Sequence, residues 1–153
     1  MKSIERWSVV TALIIMRGAY DDHGILVAQR RVPIAVTRMY TGPDGLTHAS
    51  EVLVDLATVP RLEHYERSET AKVTGSVFQR WSPGYENDWH PASHRQYLIV
   101  LSGRGEIEIS NGQKIPLEPG RILLAEDVTG KGHITRTVGR EDCITLLVQF
   151  ADQ

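Results

Sequence analysis

The sequence predicts an all-β domain that closes into a barrel or a jelly roll. From residue 24 onward, apolar and polar residues alternate with the period of two that is typical of strands. Turns rich in Gly, Pro and Asn separate these segments, and no long apolar pattern has the helical period of 3.6. Small domains built of many short strands remove their open sheet edges by closing a barrel or stacking two sheets.

The predicted strands lie between the turn residues. They are residues 24–30, 34–40, 51–56, 75–81, 96–101, 105–110, 113–117, 121–125, 133–138 and 144–150. The polar segment 58–72 is expected to hold a short helix or an ordered loop, and residues 1–20 are compatible with either a helix or a strand.

One hairpin has a specific turn signal. Asn111 and Gly112 are the residue pair that a type I′ turn favours, because both positions need a positive φ. A tight connection at 102–105 precedes this hairpin, and a Pro-Gly turn at 119–120 follows it. These turns predict four consecutive antiparallel strands between residues 97 and 125.

Composition limits the kinds of partner. The chain has 153 residues, 41% hydrophobic and 24% charged, which is typical of one soluble globular domain. A net charge of -2 argues against a nucleic acid or a membrane as the main partner. Cys143 is the single cysteine and lies in an apolar strand, so we expect a buried structural thiol.

Residues 1–23 are predicted to form an extension that precedes a single barrel domain of residues 24–153. Lys2 and Arg6 precede the apolar residues 7–16, but this segment is shorter than the about 20 residues that span a bilayer. No small-residue cleavage site follows it, so we expect a cytoplasmic protein. The apolar segment needs cover from the barrel or a partner subunit, which predicts a homodimer.

The candidate site comes from two polar strand faces. If residues 90–100 are extended, His90, His94 and Gln96 point to one side. His133 and Thr135 share a face in a later strand, and the two faces would meet inside one barrel. The sequence therefore predicts a histidine-lined pocket.

Imidazoles exchange protons near neutral pH, which makes these histidines candidate acids and bases. In the catalytic scheme that we predict, His133 or His90 moves the proton, Gln96 orients or polarises a carbonyl, and Asp127 tunes an imidazole. Asp127 and Lys131 could equally form an ion pair that shapes their loop.

Aromatic residues surround the histidines in the sequence. Trp81, Tyr85, Trp89 and Tyr97, together with His94, are candidate substrate-binding residues, and they favour an organic ligand that is not highly charged. The alternatives are that Trp81 and Tyr97 are core or interface residues and that His94 is a solvated loop residue.

Residues 75–150 resemble a small single-domain cupin. Gly84, His90 and Gly103 match positions of the first cupin motif, and the turn at 119–120 with His133 resembles the second motif. The segments Trp-His-Pro-Ala and Asp-x-Thr-Gly-Lys-Gly-His also resemble those of one cupin subgroup. The resemblance implies a cupin-type double-stranded β-helix, that is, a jelly-roll barrel.

The chain departs from the family at the metal ligands. Ala92 stands at the place of the second histidine and Gln96 at the place of the glutamate. His90, His94 and His133 could still hold Fe, Mn, Ni or Zn, but without the carboxylate that helps to retain a divalent ion. Both a metal site and a metal-free site remain open.

Three functions remain open. The first is an enzyme that uses histidine acid/base chemistry on a small apolar molecule, as in isomerisation, dehydration or cyclisation. The second is a metal-dependent cupin oxygenase. The third is a non-catalytic module that binds or senses a small molecule.

Overall fold

The computed structural model describes residues 18–20, 26–28 and 32–151. The chain divides into two compact units, residues 1–32 and 33–153, whereas the sequence pattern predicted the division after residue 23. In the first unit, β1 (Gly18–Tyr20) and β2 (Leu26–Ala28) form an antiparallel ribbon. The predicted apolar segment 7–16 lies outside the described residues, so its packing stays a prediction.

The second unit is built of strands and turns. Its strands are β3 (Ala35–Thr41), β4 (Thr47–Leu53), β5 (Ala57–Thr58), β6 (Glu66–Arg67), β7 (Val73–Trp81), β8 (Glu86–His90), β9 (Gln96–Ser102), β10 (Gly105–Glu108), β11 (Lys114–Leu117), β12 (Ile122–Glu126), β13 (His133–Thr137) and β14 (Cys143–Phe150). Within the described ranges there is no helix that could cross a membrane.

The eight strands from β7 to β14 form a jelly roll. One sheet contains β12, β9, β14 and β7 in that order, and the other contains β11, β10, β13 and β8. The chain alternates between the two sheets except at the β10–β11 hairpin, which stays within one. Two stacked sheets with this connectivity are the jelly-roll solution to open strand edges. The prediction of an all-β jelly roll is confirmed.

The predicted run of four consecutive antiparallel strands is wrong. β9 pairs with β12 and β14, whereas β10 pairs with β11 and β13, so β9 and β10 belong to different sheets. The tight connection at 102–105 carries the chain from one sheet to the other. It passes so close to the neighbouring backbone that a Cβ on Gly103 would lie 2.1 Å from the Asp142 carbonyl oxygen.

The β10–β11 hairpin is present, but its turn is not type I′. Gly112 has a φ of 81°, while Asn111 keeps a negative φ. The Gly112 amide donates to the Ile109 carbonyl at 2.8 Å, and the Ile109 amide donates to the Gln113 carbonyl at 3.0 Å. This pattern is a type I turn followed by a glycine bulge, which needs only one residue of positive φ.

A second hairpin, β3 with β4, extends the first sheet beyond β12. β3 runs parallel to β12, with Met39 beside Ala125, and β4 pairs antiparallel with β3. The segment predicted as a short helix or a loop is a loop containing the short β5–β6 ribbon. β8 is a strand that the sequence pattern did not predict.

The core lies between the two sheets and follows the predicted alternation. Ile107 and Ile109 are buried, while Glu106 and Glu108 are partly exposed on the other side. Cys143 is fully buried, and this burial raises the pKa of its thiol. The geometry agrees with a structural thiol.

Candidate functional site

A cavity of about 250 Å³ lies inside the jelly roll. Both sheets and the β3–β4 hairpin contribute to its wall. Its lining combines apolar side chains with amides, hydroxyls and two imidazoles, and it includes no Asp, Glu, Lys or Arg among the residues that the structure describes. The lining residues are Met39, Gln79, Trp81, Tyr85, Asn87, His90, Pro91, Ala92, Ser93, Gln96, Leu98, Ile107, Leu123, Ala125, His133, Thr135 and Leu147.

His133 is held in the cavity wall by a buried carboxylate. It is the first residue of β13 and is 6% exposed, while Asp127 directly follows β12 and is fully buried. His133 Nδ1 lies 2.7 Å from Asp127 Oδ2, and the Thr47 hydroxyl donates to the same oxygen at 3.1 Å. An ionised carboxylate only accepts, so His133 Nδ1 carries the proton. The neutral ring then has its free lone pair on Nε2.

His90 has the same tautomer for a different reason. Its Nδ1 lies 2.7 Å from the Asp88 backbone carbonyl, which can only accept, so Nδ1 donates. The ring centroids of His90 and His133 are 4.5 Å apart, and the two residues are partners in the β13–β8 register. The structure thus brings together two predicted site residues from distant parts of the sequence.

Gly132 allows this approach of the two histidines. It has a φ of 73°, and a Cβ there would lie 2.0 Å from the His90 carbonyl oxygen. Gly130 also lies close to the β3–β4 hairpin, since its Cβ would lie 2.4 Å from the Gly45 carbonyl oxygen. The Lys131 amide donates to that same oxygen at 3.0 Å. Because these two glycines have no side chain, the loop 127–132 can approach both β8, which contains His90, and the β3–β4 hairpin.

The predicted alternative of an Asp127–Lys131 ion pair is wrong. Asp127 pairs with His133 and Thr47, whereas Lys131 Nζ lies 3.6 Å from the centroid of the Trp89 ring. Asp127 therefore contacts an imidazole, and its predicted effect on the chemistry of that ring stays a prediction.

Gln96 lies in the cavity wall and is 7% exposed. Its Oε1 has no hydrogen-bond partner within the described part of the chain. A buried amide oxygen without a partner is unfavourable, so this position favours a ligand or a water that donates to it. Gln96 and Leu98 face inward together, because alternate residues of a strand point to the same side, and both line the cavity.

The aromatic candidates divide into two groups. Trp81 and Tyr85 line the cavity, with their rings stacked at 5.7 Å and 14°. Trp89 and Tyr97 do not line it. Tyr97 packs edge-on against Phe150 at 4.9 Å on the opposite face of β9 from Gln96, because neighbours in a strand point to opposite sides.

His94 does not join the other histidines. It is exposed, and its Nδ1 lies 3.1 Å from the Ser93 hydroxyl and 3.3 Å from Gln149 Nε2. Residues 91–95 between β8 and β9 form no strand and bend at 93–95, so the alternation that grouped His94 with Gln96 fails there. His94 is therefore a solvated loop residue, which was the alternative interpretation of the sequence.

The predicted three-histidine metal set is therefore not assembled. Within the described ranges, no three His, Cys, Asp or Glu side chains gather as metal ligands. Catalytic metal sites commonly use three protein ligands, often with a carboxylate. His90, His133 and the neutral amide of Gln96 do not match that donor set, and Asp127 is already bonded to His133.

Sequence reasoning missed Gln79, Asn87 and Thr47. Gln79 could have been found, because it lies two residues before Trp81 and so faces the same side of β7. Its Oε1 accepts from the Thr145 hydroxyl at 3.3 Å, which leaves the amide nitrogen as a donor. Thr47 had no local signal, since its partner Asp127 is 80 residues away.

No family model matches the chain, and no curated protein matches it either. Several solved structures are similar. A conserved protein with a double-stranded β-helix domain from Klebsiella pneumoniae is 29% identical with a TM-score of 0.42, over 55% of this chain and 70% of that one. A cupin domain from Bordetella pertussis is 17% identical with a TM-score of 0.43, over 54% and 91%. A conserved protein of unknown function from Streptococcus pyogenes is 20% identical with a TM-score of 0.43, over 56% and 71%. The arrangement of β7 to β14 in two stacked sheets is a jelly roll, the architecture of cupins and of several other protein classes.

Proposed function

We propose that the chain binds a small, largely apolar, uncharged organic molecule in the cavity and moves a proton on it with His133. One observation carries this proposal. The His133 ring lines the cavity while its Nδ1 is held at 2.7 Å by the fully buried Asp127. A carboxylate that orients an imidazole and stabilises its protonated form is the usual support of a histidine acid or base.

The cavity supports this class of ligand by its size and chemistry. A volume of about 250 Å³ corresponds to roughly eight water-sized groups, which suits a molecule of on the order of ten non-hydrogen atoms. Leu98, Leu123 and Leu147 supply apolar contact, and the amides of Gln79 and Gln96 supply polar contact. A charged ligand would find no countercharge among the described lining residues.

In the proposed reaction the proton leaves the ligand and returns to it. Neutral His133 accepts a proton from the ligand at Nε2, and the resulting imidazolium donates Nδ1–H to Asp127. Return of this proton to a second atom of the same ligand gives isomerisation, and its delivery to a departing hydroxyl gives dehydration. In this scheme His90, whose ring centroid is 4.5 Å from that of His133, exchanges the proton at the second position.

The experiment works without the identity of the natural ligand. Neutral fragments of up to about ten non-hydrogen atoms are screened for binding by ligand-observed NMR, and each bound fragment is then incubated with the protein in D₂O. We expect deuterium to enter one carbon of a bound fragment. His133→Gln should abolish this exchange, while His64→Asn, which changes an exposed loop histidine of positive φ, should leave it unchanged.

The same experiment distinguishes the proposed function from the two alternatives. Binding without exchange over long incubation would replace acid/base catalysis by a binding or sensor module. If a chelator abolishes the exchange and Fe, Mn, Ni or Zn restores it, the protein is a metal-dependent enzyme and the metal-free acid/base mechanism is wrong. Exchange that persists in His133→Gln would overturn the assignment of the base.

A further inference from the structure

We propose that Thr47 is a positioning residue for His133 and acts through Asp127. This role rests on the proton-transfer function proposed above. Thr47 begins β4 and is 1% exposed. Its hydroxyl donates to Asp127 Oδ2 at 3.1 Å, the same oxygen that lies 2.7 Å from His133 Nδ1. Three buried side chains therefore form one chain of hydrogen bonds that ends at the cavity.

The Thr47 hydroxyl matters because Asp127 has few other side-chain partners. Asp127 Oδ1 has no hydrogen-bond partner in the part of the chain that the structure describes. A buried carboxylate depends on its hydrogen bonds to stay ionised and oriented. With Thr47 in place, Oδ2 receives two donors from fixed directions. Without it, His133 would be the only described side chain that donates to the carboxylate, and the carboxylate could rotate.

Thr47 is itself held in place. Its amide donates to the Ser110 hydroxyl at 3.0 Å, and it pairs with Thr41 across the β3–β4 hairpin. The Thr41 hydroxyl in turn donates to the Thr129 carbonyl at 2.8 Å in the loop 127–132. A side chain on a strand with a fixed backbone can orient its partner more accurately than one on a free loop.

The hairpin lies outside the eight-stranded jelly roll, yet it completes the site. It contributes Met39 to the cavity wall and Thr47 to the support of Asp127. The orientation of His133 thus depends on the β3–β4 hairpin, which is not one of the eight jelly-roll strands.

The test follows the His133 Nδ1–H proton by NMR in the full-length protein labelled with ¹⁵N-histidine. The resonance is assigned by its loss in His133→Gln. We compare Thr47→Val, which removes the hydroxyl at nearly constant volume, with Thr47→Ser, which keeps it. Thr47→Ser should resemble the wild type. Thr47→Val should accelerate solvent exchange of this proton at least about tenfold, as expected for loss of one hydrogen bond, and shift the ¹⁵N signals toward mixed tautomers.

A folded Thr47→Val protein with unchanged exchange and unchanged ¹⁵N shifts would overturn the proposal. If this variant does not fold, the wild type supplies the second measurement. The Thr47 hydroxyl proton should then be protected from exchange and should shift in Asp127→Asn, and a rapidly exchanging hydroxyl would overturn the proposal.

These readouts need no substrate, so failure of the Thr47 proposal is distinct from failure of the proposed proton transfer. Once a fragment shows deuterium exchange, Thr47→Val should lower kcat about tenfold with little change in KM. Thr47→Ser, which keeps the hydroxyl, should have a kcat close to that of the wild type. An effect on KM alone would contradict a positioning role.

Discussion

Asp127 Oδ2 and His133 Nδ1 lie 2.7 Å apart, and both side chains are buried, with His133 in the wall of the cavity. The pair joins the end of β12 to the start of β13, and the glycine-containing loop between them reaches both the β3–β4 hairpin and His90. The proton transfer proposed for His133 uses this contact to orient the ring.

Replacement of Asp127 by Asn tests the contact directly. The amide keeps the shape of the side chain but can present N–H to His133, which favours the wrong tautomer of the ring. We expect deuterium exchange of a bound fragment to fall by at least about 100-fold. Binding of the fragment, measured by the same NMR screen, should change much less. A variant with wild-type exchange would mean that Asp127 only supports the fold.

Gly132→Ala tests the close approach of the two histidine strands. The new Cβ would lie 2.0 Å from the His90 carbonyl oxygen, at a backbone φ of 73°. We expect a loss of at least about 2 kcal/mol in the free energy of unfolding, measured with urea. The matched control is Gly139→Ala, which has a φ of 94° but no atom within 4 Å of the new Cβ. Equal losses in the two variants would show that backbone strain alone, and no contact with His90, sets the cost.

Cys143 should be unreactive in the folded protein. Burial raises the pKa of its thiol, so little of the reactive thiolate is present near neutral pH. We expect iodoacetamide to label it only slowly in buffer and completely in denaturant, as measured by mass spectrometry. Rapid labelling of the native protein at pH 7 would contradict the structural role.

Glu126 should make stability depend on pH. Burial alone would raise the pKa of its carboxyl, but Arg95 and Arg38, each 2.5 Å away, outweigh that effect and lower it. A lowered folded-state pKa gives stability that is present above the unfolded value near 4.5 and is lost as the pH falls through the folded value.

The stability difference between the wild type and Glu126→Gln should therefore be larger at pH 7 than at pH 3. Urea midpoints at the two pH values measure it. Both arginines are partly exposed, so the effect should be modest and should weaken in high salt. If the stability difference does not change with pH, the ion pairs of Glu126 are not its cause.

The homodimer also remains to be tested. Phe78 is 72% exposed, and the strand register places it beside Leu146, which pairs in turn with Ile99. These side chains lie on the outer face of the sheet, opposite the cavity, and an apolar row of this kind favours association. Light scattering at micromolar concentration should give twice the mass of the chain. Phe78→Ser should shift the mass toward the monomer, and a monomeric wild type would contradict the prediction.

Local patterns account for much of the fold. Alternation along β9 predicted that Gln96 faces the pocket, and the turn residues predicted the ends of β10 to β12 to within two residues. The same patterns could not decide which strands pair. The connection at 102–105 reads as a hairpin turn, but the stacking of two sheets makes it a crossing between them.

Local sequence patterns are enough to predict that this protein is all-β and that His90, Gln96 and His133 face one cavity, because a strand's period of two and a few turn residues are local properties. The contact of Thr47 with Asp127 and the position of His94 outside the cavity follow from tertiary packing. Thr47 meets Asp127 across 80 residues of sequence, and His94 lies where the chain bends. Contacts between distant strands and local breaks in the alternation depend on how the two sheets pack, which no short stretch of residues records.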